Sequence, residues 1–384
     1  MRVLLTLVAI LAAFRCISVS GVASAEPAKP AAEKTREGPK PREPWVRRRG
    51  ARQPDQDPMS IAGGRPAAPE RWRAIGTLID LSKDKPVDPS SLKEPGELEK
   101  RSYCAGTLIA PTWFLTAGHC VMMGATEEDA PPVETAPDEV AVFIGNVRLD
   151  GAADLIPVKE IIRHPDYSPH GPRGNRYDTA LIHLKRPPQN VCYALMALGH
   201  PNGGPDTAKP LRARVAGWGS SDTTRSHVML YEADIELAKP EVCHKQFHPK
   251  FLEQIRDRVF PELADALGLP EEQRSAFWST RLAPLAKSVI TDDMLCTVGR
   301  QGHNHCAGDS GGPVVVEHKG QPVQVGIVNW GLPGCPQLPP GKPRYGVSSR
   351  VAHHWAWIVE TIGRQPDGRM ADMPAACRGG PTTK

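Results

Sequence analysis

From about Ile61 onward the chain never sustains a long apolar run. Short segments of β character, at 74–81, 106–109, 140–144, 181–184, 214–217, 314–316 and 323–330, alternate with turns rich in Gly and Pro. The 384 residues include 40 prolines and 35 glycines. Proline removes a ladder donor and glycine lets the backbone reverse, so strands must be short and turns frequent. Many short strands punctuated in this way predict an all-β barrel or sandwich. Only two helices are expected. One lies within 251–283; the other is 352–362, where Trp355, Ile358 and Val359 fall on one face. No internal repeat is visible.

The ends read differently. Arg2 is followed by an apolar stretch at 3–14 and then by the small-residue site Ala23-Ser24-Ala25. Twelve apolar residues fall short of the roughly 20 that span a bilayer. The pattern predicts a signal peptide over 1–25 and a secreted or periplasmic protein, with no stable membrane insertion after cleavage. A retained anchor is the alternative. Residues 26–60 carry few large hydrophobes and a basic run, Arg47-Arg48-Arg49 then Arg52. Such a stretch cannot offset its chain entropy and is expected to be disordered. It is either a solvated linker or a propeptide with a processing site. One domain over 61–366 and a loose tail over 367–384 complete the organisation.

With Cys16 in the signal, eight cysteines remain: 104, 120, 192, 243, 296, 306, 335 and 377. An even number in an exported chain favours disulfides. A formal net charge of +4 without clustering argues against a nucleic-acid partner. His303, His305 and Cys306 lie close together, but tetrahedral ligation needs four placed groups. No metal or cofactor is expected.

Acyl transfer to water needs a nucleophile, a base, a group that fixes the base's tautomer, and donors for the developing oxyanion. Ser310 lies in Gly308-Asp309-Ser310-Gly311-Gly312-Pro313. The glycines allow a sharp turn that aims the amides of Gly308 and Ser310 at one point, an oxyanion hole. One such donor is worth about 3–4 kcal/mol. His119, in Leu115-Thr116-Ala117-Gly118-His119-Cys120, is the candidate base. Asp178, in Tyr177-Asp178-Thr179-Ala180-Leu181-Ile182, precedes an apolar strand and is the candidate orienting acid.

These three motifs, in the order His, Asp, Ser, resemble the TAAHC, DIAL and GDSGGP signatures of the chymotrypsin/trypsin-like serine peptidases. Ile61-Ala62-Gly63-Gly64 resembles that family's mature amino terminus. Ala216-Gly217-Trp218-Gly219 resembles its GWG segment, and Val328-Asn329-Trp330-Gly331 its SWG strand. Arg350-Val351 with the Trp-rich helix resembles its C-terminal end. The resemblance spans about 61–362. It implies two six-stranded antiparallel β-barrels with the catalytic cleft between them and a C-terminal helix. It also implies an endopeptidase acting on polypeptides through an acyl-enzyme, as a monomer, and the disulfides Cys104–Cys120, Cys243–Cys296 and Cys306–Cys335. Cys192 and Cys377 match no family bridge and would pair by elimination.

The resemblance further implies that a new amino terminus at Ile61 pairs with Asp309 and orders the oxyanion hole. Here the sequence departs from the family, because Ser60 rather than Arg or Lys precedes Ile61. Activation could use a different peptidase at this bond, cleavage after Arg52 with trimming, or no cut here; cleavage at Ser60–Ile61 is the expectation adopted. The pocket base falls at Asn304, which lacks the carboxylate that attracts Lys or Arg. Gly331 and Gly346 match the two small wall positions and predict a pocket open to a large side chain. His305 and His303 add polarity near the base. These features imply a preference other than basic at P1, the residue whose carbonyl is attacked: large apolar, polar-uncharged, or acidic through a protonated His. Asn329 stands where the family has Ser, with an amide able to donate to Asp178; Trp330 lies beside the substrate.

Insertions at 82–102, 122–138 and 244–290 either rim the cleft or add inert surface. The segment 146–159 has few carboxylates and predicts no calcium. Two rival readings remain distinguishable: an inactive homologue that binds partners on the same fold, and an α/β-hydrolase esterase. The esterase needs Gly-x-Ser-x-Gly and the order Ser, acid, His, and the sequence has neither.

Overall fold

The computed structural model describes residues 61–363 except 62, 83–91, 93–95, 123–132, 152, 168–175, 190, 192–194, 197–210, 220–226, 286–288, 301, 319–320 and 332–341. The expected signal peptide, the 26–60 segment with Ser60, the 367–384 tail, and Cys192, Cys335 and Cys377 lie outside the described residues.

Two closed six-stranded antiparallel barrels form the body, as the family resemblance implied. The first joins β2 (Ile75–Asp80), β3 (Ser102–Ala110), β4 (Trp113–Thr116), β5 (Val140–Ile144), β6 (Asp154–Arg163) and β7 (Ala180–Leu184), in the order β2-β3-β4-β7-β6-β5. The second joins β9 (Leu211–Gly217), β10 (Tyr231–Ala238), β11 (Met294–Gly299), β12 (Pro313–His318), β13 (Gln321–Gly331) and β14 (Arg344–Arg350), closed by the β9–β10 and β12–β9 pairings. Two short strands ride on it: β1 (Arg65–Pro66) against β10, and β8 (Leu195–Met196) parallel to β13.

The strand period of two explains how the barrels join. Val140, Val142 and Ile144 on β5 point into the first barrel's core. Phe143, between them, points the other way into a separate apolar cluster that includes Ala216, Trp218 and Leu230 from the second barrel's side. Successive side chains on a strand face opposite sides, so one strand serves two cores. This is why β5 is buried throughout and shows no alternation in sequence.

The C-terminal helix runs over Val351–Ile362 and buries Val351, His354, Ile358 and Ile362. Val351, Ile358 and Ile362 belong to the first barrel's core. The expected face is therefore rotated: Val359 is only half-buried, and His354 takes an inward position. The 244–290 insertion is mostly helical, with α-helices over Pro240–Gln254, Phe260–Ala266 and Glu271–Phe277. Helix therefore begins eleven residues before the expected 251. The register of β4 against β7 prepares the cleft. Thr116 lies opposite Ala180, so the chain leaving β4 and the chain entering β7 meet at one barrel end.

Candidate active site

His119 and Asp178 sit at that end. Thr116 is followed by a tight turn that carries His119, while Asp178 stands two residues before β7. Asp178 is 1% exposed. Its Oδ1 accepts the His119 backbone amide at 2.7 Å, and its Oδ2 contacts His119 Nδ1 at 2.7 Å. The acid thus holds both the ring and the main chain of the histidine. Burial works to lower the His119 pKa, but the Asp178 charge and hydrogen bond outweigh it and hold the imidazolium above its ordinary value. The disulfide Cys104–Cys120 ties the residue after His119 to β3.

Ser310 comes from the second barrel, on the turn entering β12. The Ser310 carbonyl accepts the Ala105 amide at 2.7 Å, which docks the turn on β3. Gly308 and Gly311 have φ of +87° and +78°, in the left-handed region where glycine is unstrained. A Cβ on Gly311 would lie 2.2 Å from Thr116 Oγ1 and 2.3 Å from the Ala105 carbonyl. No side chain fits there, so the turn can lie flush against the barrel that carries His119.

The amides of Asp309, Gly311 and Gly312 donate to the carbonyls of Cys306, Val328 and Asp309. Among the described residues, those of Gly308 and Ser310 have no acceptor. They are the pair singled out in sequence as oxyanion donors. His119 Nε2 and Ser310 Oγ likewise make no hydrogen bond to a described group. Such contacts commonly tighten only when substrate is bound.

Asp309 is completely buried. Its carboxylate accepts the Gly219 amide at 2.8 Å and the Cys306 amide at 2.6 Å. Burial pushes its pKa up to about 7 against those two bonds. The Ile61 side chain is fully buried in the second barrel's core with Val215 and Val314. Ile61 has a φ of +27°, unusual for a β-branched residue.

Two residues that sequence reasoning passed over support Asp178. Asp293 is completely buried just before β11. It accepts the Tyr177 amide at 2.8 Å, Arg176 Nε at 3.0 Å and Thr291 Oγ1 at 2.6 Å. Tyr177 carries a φ of +57°, so this grip holds a sparsely populated turn beside the acid. Ser349 Oγ donates to the Asp178 carbonyl at 2.8 Å and accepts Asn329 Nδ2 at 3.3 Å. Asn329 therefore reaches Asp178 through Ser349, where a direct amide–carboxylate bond had been expected. A bulge between Val328 and Trp330 sets Asn329 outside the β13–β14 pairing.

The expected pocket is also rearranged. Asn304 is fully buried, with Nδ2 donating to the Arg344 carbonyl at 3.2 Å and Thr297 Oγ1 at 3.3 Å, and Oδ1 accepting the His305 amide at 2.9 Å. Its amide serves the scaffold. A Cβ on Gly346 would meet His305 Nε2 at 2.2 Å, and one on Gly331 would meet His305 Cε1 at 3.3 Å. The His305 ring lies against the faces that the two glycines leave open and narrows the pocket on that side. His303 packs against Gly63 instead of the pocket. Trp330 stacks edge-on against Phe247 of the Pro240–Gln254 helix at 4.8 Å, which brings the insertion to the substrate strand. Cys243–Cys296 anchors that helix to β11. Cys306 is disulfide-bonded, and its expected partner Cys335 lies outside the described residues.

Comparisons with known proteins agree with this geometry. The trypsin family model matches residues 62–264 and 269–358. Mannan-binding lectin serine protease 1 of Homo sapiens is 28% identical over 275 residues, covering 69% of this chain and 33% of that protein. Tryptase of Mus musculus is 28% identical over 263 residues, covering 67% of this chain and 77% of that protein. The chain thus spans about a third of the first relative and about three quarters of the second. Motif order, the paired barrels and a family match over most of the chain converge: the chain belongs to the trypsin family of serine proteases.

Proposed function

We propose that the protein is an exported serine endopeptidase. Ser310 is the nucleophile, His119 the general base and Asp178 the residue that fixes its tautomer and stabilises the imidazolium. The supporting observation is the double grip of Asp178 on His119, through ring and backbone, with the Ser310 turn docked on the same barrel end.

His119 takes the Ser310 proton as Oγ attacks the peptide carbonyl. The tetrahedral oxyanion lies on the amides of Gly308 and Ser310. His119 then protonates the leaving amine, and water repeats the sequence on the acyl-enzyme. Cleavage at Ser60–Ile61 would create an ammonium for the buried Asp309 carboxylate, so an activating peptidase is part of the proposal. The substrate preference is not for basic residues, since Asn304 carries no charge. Disulfides in the structure and the apolar leader favour a secreted or periplasmic location.

The test is fluorophosphonate labelling and casein hydrolysis by wild type and Ser310→Ala. Labelling at Ser310 and hydrolysis by wild type alone are expected. A wild type cleaved at Ser60–Ile61 that neither labels nor hydrolyses would favour the inactive homologue. Amino-terminal sequencing addresses activation; full activity with residues before Ile61 still attached would remove Ile61 from the scheme.

A further inference from the structure

The pocket beside Ser310 carries charge chemistry that the peptidase reading leaves unassigned. Its base position, Asn304, has no charge, and its amide is bound to Thr297 and the Arg344 carbonyl. Its walls, Gly331 and Gly346, are lined by the His305 ring. Arg344 lies two residues before Gly346 on β14. Alternate residues on a strand share a face, so the Arg344 side chain leaves on the side where Gly346 meets His305. Arg344 is 3% exposed, and its Nε donates to the Gly302 carbonyl at 2.9 Å. The pocket floor therefore combines an imidazole within reach of the wall glycines and a buried cation behind it.

We propose that this pocket takes an acidic side chain, so that the bond cleaved follows Glu or Asp. The proposal rests on the peptidase reading above. Three substrate classes can be weighed. A Lys or Arg side chain would bring a second cation toward Arg344 in a medium of low dielectric, where like charges repel strongly. A large apolar side chain would take water from the imidazole edge and from the Arg344 side of the pocket with no hydrogen bond in return. A carboxylate can accept from the imidazole and is drawn by the guanidinium, and charge-assisted bonds of this kind are the stronger ones. Burial and the Arg344 charge together push the His305 pKa down to about 4. Near neutral pH the ring is a neutral donor, and Arg344 supplies the charge.

The experiment treats the protein cleaved at Ser60–Ile61 with peptidyl phosphonate diphenyl esters that differ only in the P1 side chain: Glu, Leu or Arg. Each phosphonylates Ser310 at a rate that reads the pocket directly. A small fluorophosphonate lacking a P1 side chain is the reference. The Glu probe is expected to react about 100-fold faster than the Arg probe and about 10-fold faster than the Leu probe. A Leu or Arg probe that reacts fastest would overturn the assignment while leaving the peptidase reading intact. Failure of every probe, the reference included, would overturn the peptidase reading and the assignment with it.

Arg344→Gln should erase the Glu advantage. Because a buried guanidinium can matter for folding, His305→Ser provides an independent arm. It should open the space beside Gly346 and raise the Leu rate about 10-fold relative to Glu. A rate profile unchanged in His305→Ser would remove His305 from the pocket's selection.

Discussion

Two carboxylates flank the cleft, equally buried and differently partnered. Asp178, at the end of the first barrel, is 1% exposed and accepts both a backbone amide and a histidine ring. Asp309, under the Ser310 turn of the second barrel, is fully buried and accepts two backbone amides. Among the described residues no cation pairs with it. The difference separates two uses of a buried acid. One is set against the ring and backbone amide of His119. The other holds a loop and stores an electrostatic penalty that a new positive charge would relieve. On the proposed mechanism, the first barrel's half of the site is built on folding, and the second barrel's half is completed by proteolysis.

The sharpest way to break this contrast is Asp178→Asn. An amide at that position favours the wrong His119 tautomer, and kcat should fall about 10⁴-fold with the fold intact; steady-state kinetics decide it, and a loss under tenfold would deny Asp178 its role. Asp293→Ala should come next. Releasing Tyr177 from its left-handed turn misplaces Asp178 slightly, and a fall of about 10–100-fold in kcat with little change in KM is expected. Asp293→Asn, which keeps an acceptor for Tyr177, should recover most of it.

A smaller effect concerns pH. His119 must be neutral to act as base, and its pKa lies above the usual value of about 6.5. Activity should therefore be lost on acidification with a midpoint above about 6.5, and Asp178→Asn should move the residual activity's midpoint downward. The smallest effect is in the melting temperature. Asp309 titrates near 3.9 when unfolded and at about 7 in the uncut fold. Its folded pKa is raised, so its stabilising contribution is complete below about pH 4 and is lost as pH rises through 7. Cleavage at Ser60–Ile61 should flatten this slope by a few °C between pH 5 and 8. Calorimetry showing the same slope before and after the cut would mean that the new amino terminus does not reach Asp309.

Much of this architecture was legible because the chemistry is local. Gly308–Pro313, Leu115–Cys120 and Tyr177–Ile182 each declare a turn or strand start within six residues. Strands with an apolar run, such as β5, were also readable. β10 was not: its sequence YEADIELA is rich in Glu, Asp and Ala, which are depleted in strands, and Asp234 pairs with Arg65 and Arg214 across the sheet. The Pro240–Gln254 helix was hidden by Pro249 and a weakly segregated apolar face. Asp293 had no sequence signal, because the amide it holds lies 116 residues away. The His305 ring could be placed only once the sheet had brought Gly331 and Gly346 to one wall. Spacing finds groups that act through neighbours in the chain, and it misses those that act across the barrels.

The C-terminal helix has a consequence in time. Val351, Ile358 and Ile362 complete the core of a barrel whose strands end at Leu184. A chain emerging from its N-terminus can pair those strands early, yet the helix that joins their core follows the whole second barrel in sequence. Contacts between residues so far apart in sequence form late and slowly. The His119 side of the cleft gains its last core contacts only when that helix arrives.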